Sequence, residues 1–244
     1  MKDNFKSQIV QALIDQKEIF GDELLQEKLD IRKTKVVNKN LSDEDEKENL
    51  FESVKEDWEN STSLNQLNDL ICNCTRCALG LTRKSFVFGK GNPDAEVMLV
   101  GEGPGAEEDL KGEPFVGRAG ELLTKILAAI NFTREEVFIA NIVKCRPPGN
   151  RVPLNDEIDT CFPYLKKQIE LINPKAILCL GTTASFGLLK KKESLGNMRG
   201  KVFQFHNAKV MVTYHPAALL RNPNWKKGCW EDVQQFRKLY DEMK

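Results

Sequence analysis

The sequence predicts an α/β fold in which a parallel sheet is covered by helices on both faces. Two observations carry this. Four short, uninterrupted apolar runs, Val97 to Val100, Val137 to Ala140, Ala176 to Leu180 and Val210 to Val212, have the composition of strands buried on both sides. Segments with helical apolar spacing separate most of them, and strands alternating with helices give parallel pairing with right-handed crossovers. Charge is segregated along the chain: residues 1 to 70 carry 10 Lys and Arg against 17 Asp and Glu, and the remainder 26 against 19.

In chain order, Phe5, Ile9, Val10, Leu13 and Ile14 have the spacing of a short amphipathic helix. From Lys33 to about Asn60 the chain is highly charged and poor in apolar residues, so burial cannot offset the entropy of ordering, and a linker is expected. A docking tail for a protein partner is the alternative reading of this stretch. The expected division is therefore an acidic, partly helical and partly disordered extension over residues 1–62 and a folded domain over 63–244. Within the domain, Leu122, Leu123, Ile126, Leu127 and Ile130 form one helix face. Ile158, Phe162, Leu165, Ile169 and Ile172 form another, with Asn155 as its expected N-cap and Asp156 and Glu157 in its first turn. A last helix is expected to bury Trp230, Val233, Phe236 and Tyr240.

Open α/β sheets bind ligands beyond the carboxyl ends of their strands, so the residues just after each apolar run are the candidates for chemistry. After the first run comes Gly101-Glu102-Gly103-Pro104-Gly105, after the second Asn141, after the third Gly181-Thr182-Thr183, and after the fourth Tyr214-His215-Pro216. The glycine-rich turn matches neither G-x-G-x-x-G nor the P-loop pattern. The carboxylates behind it, Glu107, Glu108 and Asp109, would repel phosphate, so this loop is expected to face something neutral, a base or a water. His215 is one of two histidines, and its place at a strand end makes it a candidate for chemistry as much as for structure. In Ala217-Ala218-Leu219-Leu220-Arg221, two leucines beside a cation could enter a base stack while gripping phosphate, or could simply begin a helix.

Seven cysteines, an odd number, argue against a disulfide framework. Cys74 and Cys77 form a C-x2-C pair, and Cys145 and Cys161 could join them through the fold. Four thiolates suit tetrahedral zinc or an iron-sulfur cluster, while Cys145 and Cys161 could equally be small core residues. Cys179 lies inside a strand run and is expected in the core, and Cys72 offers a second choice of ligand beside Cys74. The apolar runs are far too short to span a bilayer and the first residues lack a signal-peptide core, so an intracellular chain with no membrane partner is expected. The basic body is compatible with a polyanionic substrate.

Taken together, GEGPGAEEDLKGEPFVGRAGELL, ANIVKCRPPGNR and YHPAALLRNP, with C-x2-C ahead of all three, resemble the family 4 uracil-DNA glycosylases over about residues 72 to 240. The resemblance implies a three-layer sandwich around a four-stranded parallel sheet and a 4Fe-4S cluster on Cys74, Cys77, Cys145 and Cys161. It implies a monomeric enzyme that acts on uracil-containing DNA in base excision repair. Its base pocket would comprise Glu102, Gly103, Glu108, Phe115, Asn141, Asn150 and His215, with Glu102, Asn141 and His215 catalytic and Leu219, Leu220 and Arg221 contacting DNA. Ala217 stands where the family often has a serine, and Gly103 where the best-known branch of the superfamily has an aspartate. A non-catalytic or polymerase-associated DNA-binding module on the same fold is the competing expectation.

Overall fold

The computed structural model describes residues 56–244, which belong to one compact unit. The helix expected over residues 5–14 and most of the expected linker lie outside the described residues. The last residues of that linker are ordered into the domain. Asp57–Asn60 form a 3-10 turn, Trp58 packs edge-on against Tyr164 at 4.9 Å, and Lys167 Nζ donates to the Glu59 carbonyl at 2.7 Å.

The four apolar runs are strands: β2 (Val97–Gly101), β3 (Phe138–Asn141), β4 (Ala176–Leu180) and β6 (Ala208–Thr213). They pair in parallel in the order β3, β2, β4, β6. The sheet has six strands rather than four, because short antiparallel strands β1 (Lys90–Gly91) and β5 (Phe203–Phe205) close its two edges. Neither has a continuous apolar run to betray it: β1 is exposed, and β5 is short, with only Phe203 and Phe205 half-buried against the core.

Strand alternation divides the core in two. Met98, Val100, Phe138, Ala140, Ile177, Cys179, Val210 and Val212 face one side, against α1 (Leu64–Ile71), α5 (Asn155–Ile172) and α6 (Thr182–Leu189). Val97, Leu99, Ile139, Leu178, Leu180 and Met211 face the other, against α4 (Arg118–Ala129) and α9 (Lys226–Asp241). Both faces are therefore dry, as continuous apolar strands require. The short helices α2 (Leu79–Thr82), α3 (Ala106–Lys111), α7 (Leu195–Met198) and α8 (Pro216–Arg221) fill the connections.

Three local expectations change. The N-cap of α5 is Leu154, not Asn155, and the Glu157 carboxylate accepts its free N–H at 2.8 Å. Trp230 is 43% exposed, whereas Val233, Phe236 and Tyr240 of the same helix are buried, so the last helix presents a narrower apolar face than its spacing suggests. Leu219 is 1% exposed and packs into the core shared by α4 and α9, its own helix lying on α4. It cannot be a wedge at the DNA surface, and only Leu220, 38% exposed, and Arg221 remain available there. Among the described residues no helix is long and apolar enough to cross a membrane.

Candidate uracil pocket and four-cysteine site

Parallel pairing sets Gly101 opposite Asn141 and Leu180 opposite Thr213. The loops leaving these strands therefore meet at one edge of the sheet. A cavity of about 400 Å³ opens there, lined by Glu102, Gly103, Glu108, Phe115, Asn141, Asn150, His215 and Arg221 among others. Every pocket residue expected from the sequence is on this wall, although the chain separates the first from the last by more than a hundred positions.

Asn141 ends β3 with its side chain 2% exposed, and its Oδ1 is buried without a hydrogen-bond partner. Gly101 gives that amide its room. A Cβ at Gly101 would strike Asn141 Oδ1 and reach within 2.7 Å of the Phe115 ring. Phe115 forms the facing wall, buried, with its backbone in the left-handed region at φ 54°. Such a φ is costly for a bulky residue. It is fixed by the turn that leads into α4, where Gly120 lets the Phe115 carbonyl pass at a distance no side chain would allow.

His215 caps α8, its Nδ1 accepting the Ala217 N–H at 3.2 Å. An accepting Nδ1 puts the proton of a neutral ring on Nε2. Burial, with the Arg221 guanidinium beside it, pushes the imidazole down to about 4 despite the opposing influence of Glu108. The His215 and Phe115 rings lie 5.5 Å apart at 31°, so a neutral donor sits beside an aromatic face.

The acidic residues divide by role. Glu102 is partly exposed in the pocket, and its Oε2 accepts the Thr183 hydroxyl at 2.5 Å. Glu108 is committed to backbone: Oε2 accepts from Gly105 N–H at 3.1 Å, and Oε1 from Val116 and Gly117 N–H at 3.1 and 3.3 Å. It clamps the glycine-rich turn to the Phe115 turn while lining the cavity. Asp109 is 2% exposed and accepts the Lys84 and Ser85 N–H groups, so it serves the scaffold. Asn150 is exposed at the rim, held by Arg146 Nε at 2.8 Å. Sequence reasoning assigned no role to Thr183, although it stands at a strand end. It also passed over Arg151, which lines the pocket and makes a two-pronged ion pair with buried Glu157 at 2.8 and 2.7 Å.

Four residues beyond Asn141 on the same loop lies Cys145. The Arg83 guanidinium ties it to the C-x2-C segment, donating to Cys145 Sγ at 3.3 Å, to the Cys74 carbonyl at 2.5 Å and to the Cys72 carbonyl at 3.0 Å. Other donors also point at sulfur: Tyr164 Oη and the Arg76 N–H at Cys74 Sγ, at 3.3 and 3.5 Å, and the Lys144 N–H at Cys161 Sγ, at 3.3 Å. Burial pushes the Cys161 thiol up to about 12 and raises that of Cys145. Cys145 and Cys161 belong to the core and Cys74 and Cys77 pack against it. Among the described residues no group of three or more His, Cys, Asp or Glu side chains is placed to hold a metal ion. The donor set has the chemistry of thiolate ligation: N–H and O–H donors meet the sulfurs of Cys74, Cys145 and Cys161, and Cys77 and Cys74 act electrostatically on Cys145, as Cys145 and Cys77 do on Cys161. Cys179 is a core residue of β4, and Cys229 is buried in α9.

A family model described as the uracil DNA glycosylase superfamily matches residues 88–239. The chain is 48% identical over 175 residues to a type-4 uracil-DNA glycosylase of Thermotoga maritima, covering 70% of this chain and 91% of that protein. It is 46% identical over 190 residues to one of Saccharolobus solfataricus, covering 74% and 87%, and 44% identical over 181 residues to one of Pyrobaculum aerophilum, covering 71% and 92%. With a family match over most of its length and relatives this similar over nearly their whole lengths, the chain belongs to the uracil-DNA glycosylase superfamily, among its type-4 members.

Proposed function

We infer that the protein removes uracil from DNA by hydrolysing the N-glycosidic bond, leaving an abasic site for base excision repair. The observation that carries this reading is the buried, unpartnered Asn141 Oδ1 in a cavity that also holds Phe115, His215 and Glu102. An isolated buried acceptor calls for a donor. The N3–H of uracil is such a donor, and the Asn141 Nδ2 can in turn donate to uracil O4. Cytosine presents an acceptor at N3 and an amino group at C4, which meet the same amide with the wrong polarity at both positions. The family relationship makes uracil-containing DNA the substrate and counts against a non-catalytic module.

The reaction needs the base outside the stack. Leu220 and Arg221, exposed at the end of α8, are suited to fill the gap and hold the backbone. Phe115 stacks on the extruded uracil. As the C1′–N1 bond breaks, its electron pair moves onto the base, and the Nε2–H of neutral His215 donates to O2 where that charge gathers. Water adds at C1′ of the oxocarbenium-like sugar, with Glu102, oriented by Thr183, positioning it and accepting its proton. Glu108, fixed by its three backbone bonds, crowds the C5 side and disfavours thymine.

A 4Fe-4S cluster would be held by Cys74, Cys77, Cys145 and Cys161. When bound it supplies a covalent tie among the C-x2-C segment, the loop after β3 and α5. Arg83 and Tyr164, by donating to sulfur, favour the thiolate forms such a group needs. The reading extends to a monomer whose acidic residues 1–62 take a protein partner, argued from their charge alone. The test is alkali cleavage of uracil-containing oligonucleotides, single- and double-stranded, by purified protein without added nucleotide. Uracil-dependent strand cleavage is expected, and its absence from fully cluster-loaded protein overturns the enzyme reading.

A further inference from the structure

An ammonium loses its hydration on burial, so a lysine excluded from water needs acceptors and a counter-charge. Lys144 is 0% exposed. Its Nζ donates to the Asn141 main-chain oxygen at 3.0 Å and to Gln168 Oε1 at 2.5 Å. Gln168 is itself anchored, its Nε2 donating to the Phe88 carbonyl at 3.0 Å, which turns its oxygen toward Lys144. Both acceptors are neutral, and among the described residues no carboxylate pairs with this ammonium. Burial disfavours the charge and pushes the ammonium down to about 8, and the sulfurs of Cys161 and Cys145 act against that. Cys145 adjoins it in sequence, and Cys161 accepts its backbone N–H at 3.3 Å.

We propose that Lys144 is a positioning residue joining the cysteine site to the base pocket: its charge balances the thiolates of Cys145 and Cys161, and its hydrogen bond to the Asn141 carbonyl sets the register of the uracil-reading amide. Lys144 lies only three positions beyond Asn141, so the bond closes a short loop at the end of β3. The ammonium fixes the main chain while the Asn141 side chain stays free to meet the base. A methionine of similar length could fill the space but could neither hold the carbonyl nor balance the sulfurs. This assignment rests on the roles proposed above for the pocket and the four cysteines.

The full-length chain tests it through Lys144→Met and Gln168→Leu, each measured for cluster loading by visible absorption, cluster midpoint potential, thermal midpoint, and kcat and KM on a uracil oligonucleotide. In loaded Lys144→Met the potential is expected to move negative, because a positive charge has left the thiolates, and kcat to fall about 10- to 100-fold with KM little changed, as expected for a misplaced reactive-site group. In Gln168→Leu, which keeps the charge and loosens its anchor, kcat is expected to fall with the potential unmoved. Lys144→Met with unaltered kcat and potential overturns the proposal, and so does a loss of activity in both variants that merely tracks reduced loading. If Lys144→Met takes up no cluster, Gln168→Leu decides alone: reduced kcat at full loading supports the assignment, and unchanged kcat overturns it. Unaltered protein that lacks visible absorption or releases no uracil brings down the underlying reading, and this assignment with it.

Discussion

An amide oxygen buried without a partner costs about 1–3 kcal/mol, and Asn141 carries that cost at the end of β3, inside the pocket wall. Replacing it by leucine, which has the same branched outline, removes the unpaired acceptor, so Asn141→Leu should leave thermal stability little changed. Turnover on uracil should fall by about 10² to 10³, the range seen when a key polar group is removed from a reaction site. Differential scanning calorimetry beside the oligonucleotide assay checks both, and a parallel fall of stability and activity would contradict the role. His215 makes a second statement at this scale. Its imidazole lies near 4 rather than 6.5, so uracil release should persist through pH 6.5 and fade only as pH approaches 4. Stability runs in the linked direction: the unfolded chain takes up the proton that the folded ring refuses. The His215 contribution is therefore complete above 6.5 and is lost as pH falls from 6.5 toward 4. A pH profile of kcat/KM that breaks near 6.5 would mean the ring is charged or exposed.

At the scale of elements, two glycines shape the pocket by different means. At Gly101, at the end of β2, a methyl group would project among the Asn141 amide and the Phe115 ring, into the space a base would use. At Gly120, in the first turn of α4, it would collide with the main chain of Phe115. Gly101→Ala should therefore reduce turnover more than 10-fold while the fold survives. Gly120→Ala should destabilise the whole domain by about 1–3 kcal/mol, as overpacking against an immovable neighbour does, and should disturb activity only in consequence. Urea unfolding curves paired with kinetics separate the two, and equal stability losses would show that the Phe115 turn yields more easily than its contacts imply. The helix α8 makes the same distinction between neighbours: Leu219 turns into the core and Leu220 outward, although in sequence they are alike.

Across the whole molecule, the pocket and the cysteines are two ends of one arrangement. The loop after β3 carries Asn141 to one and Cys145 to the other, α5 contributes Cys161, and Arg83 ties the loop back to the segment after α1. Removing the tie should loosen several elements together. Cys74→Ser with Cys77→Ser is expected to abolish visible absorption and to lower the thermal midpoint by several degrees, with activity failing at temperatures the unaltered protein tolerates. Retained colour would assign the site to Cys72 or to another metal. Retained stability without colour would make the cysteines ordinary core residues.

By itself the sequence determined the four inner strands, the helices that cover them and the edge at which chemistry gathers, because continuous apolar runs and helical spacing are local signals of burial. It also placed Glu102, Asn141 and His215 at that edge, since each comes just after an apolar run, whereas Glu108, Phe115 and Asn150 came to the pocket through the family resemblance. Only the tertiary structure decided what depends on distant partners. The edge strand β1 has no pattern of its own and exists through pairing, and β5, with the single alternation Phe203-Gln204-Phe205, is too short to be read alone. Leu219 and Leu220 are the same residue type, and which one is buried is set by how α8 lies against α4. The Thr183 bond to Glu102 and the Lys144 bond to Gln168 join residues 81 and 24 positions apart. Local propensity carries no information on such meetings, because the free energy that creates them belongs to the packed sheet and not to any one segment.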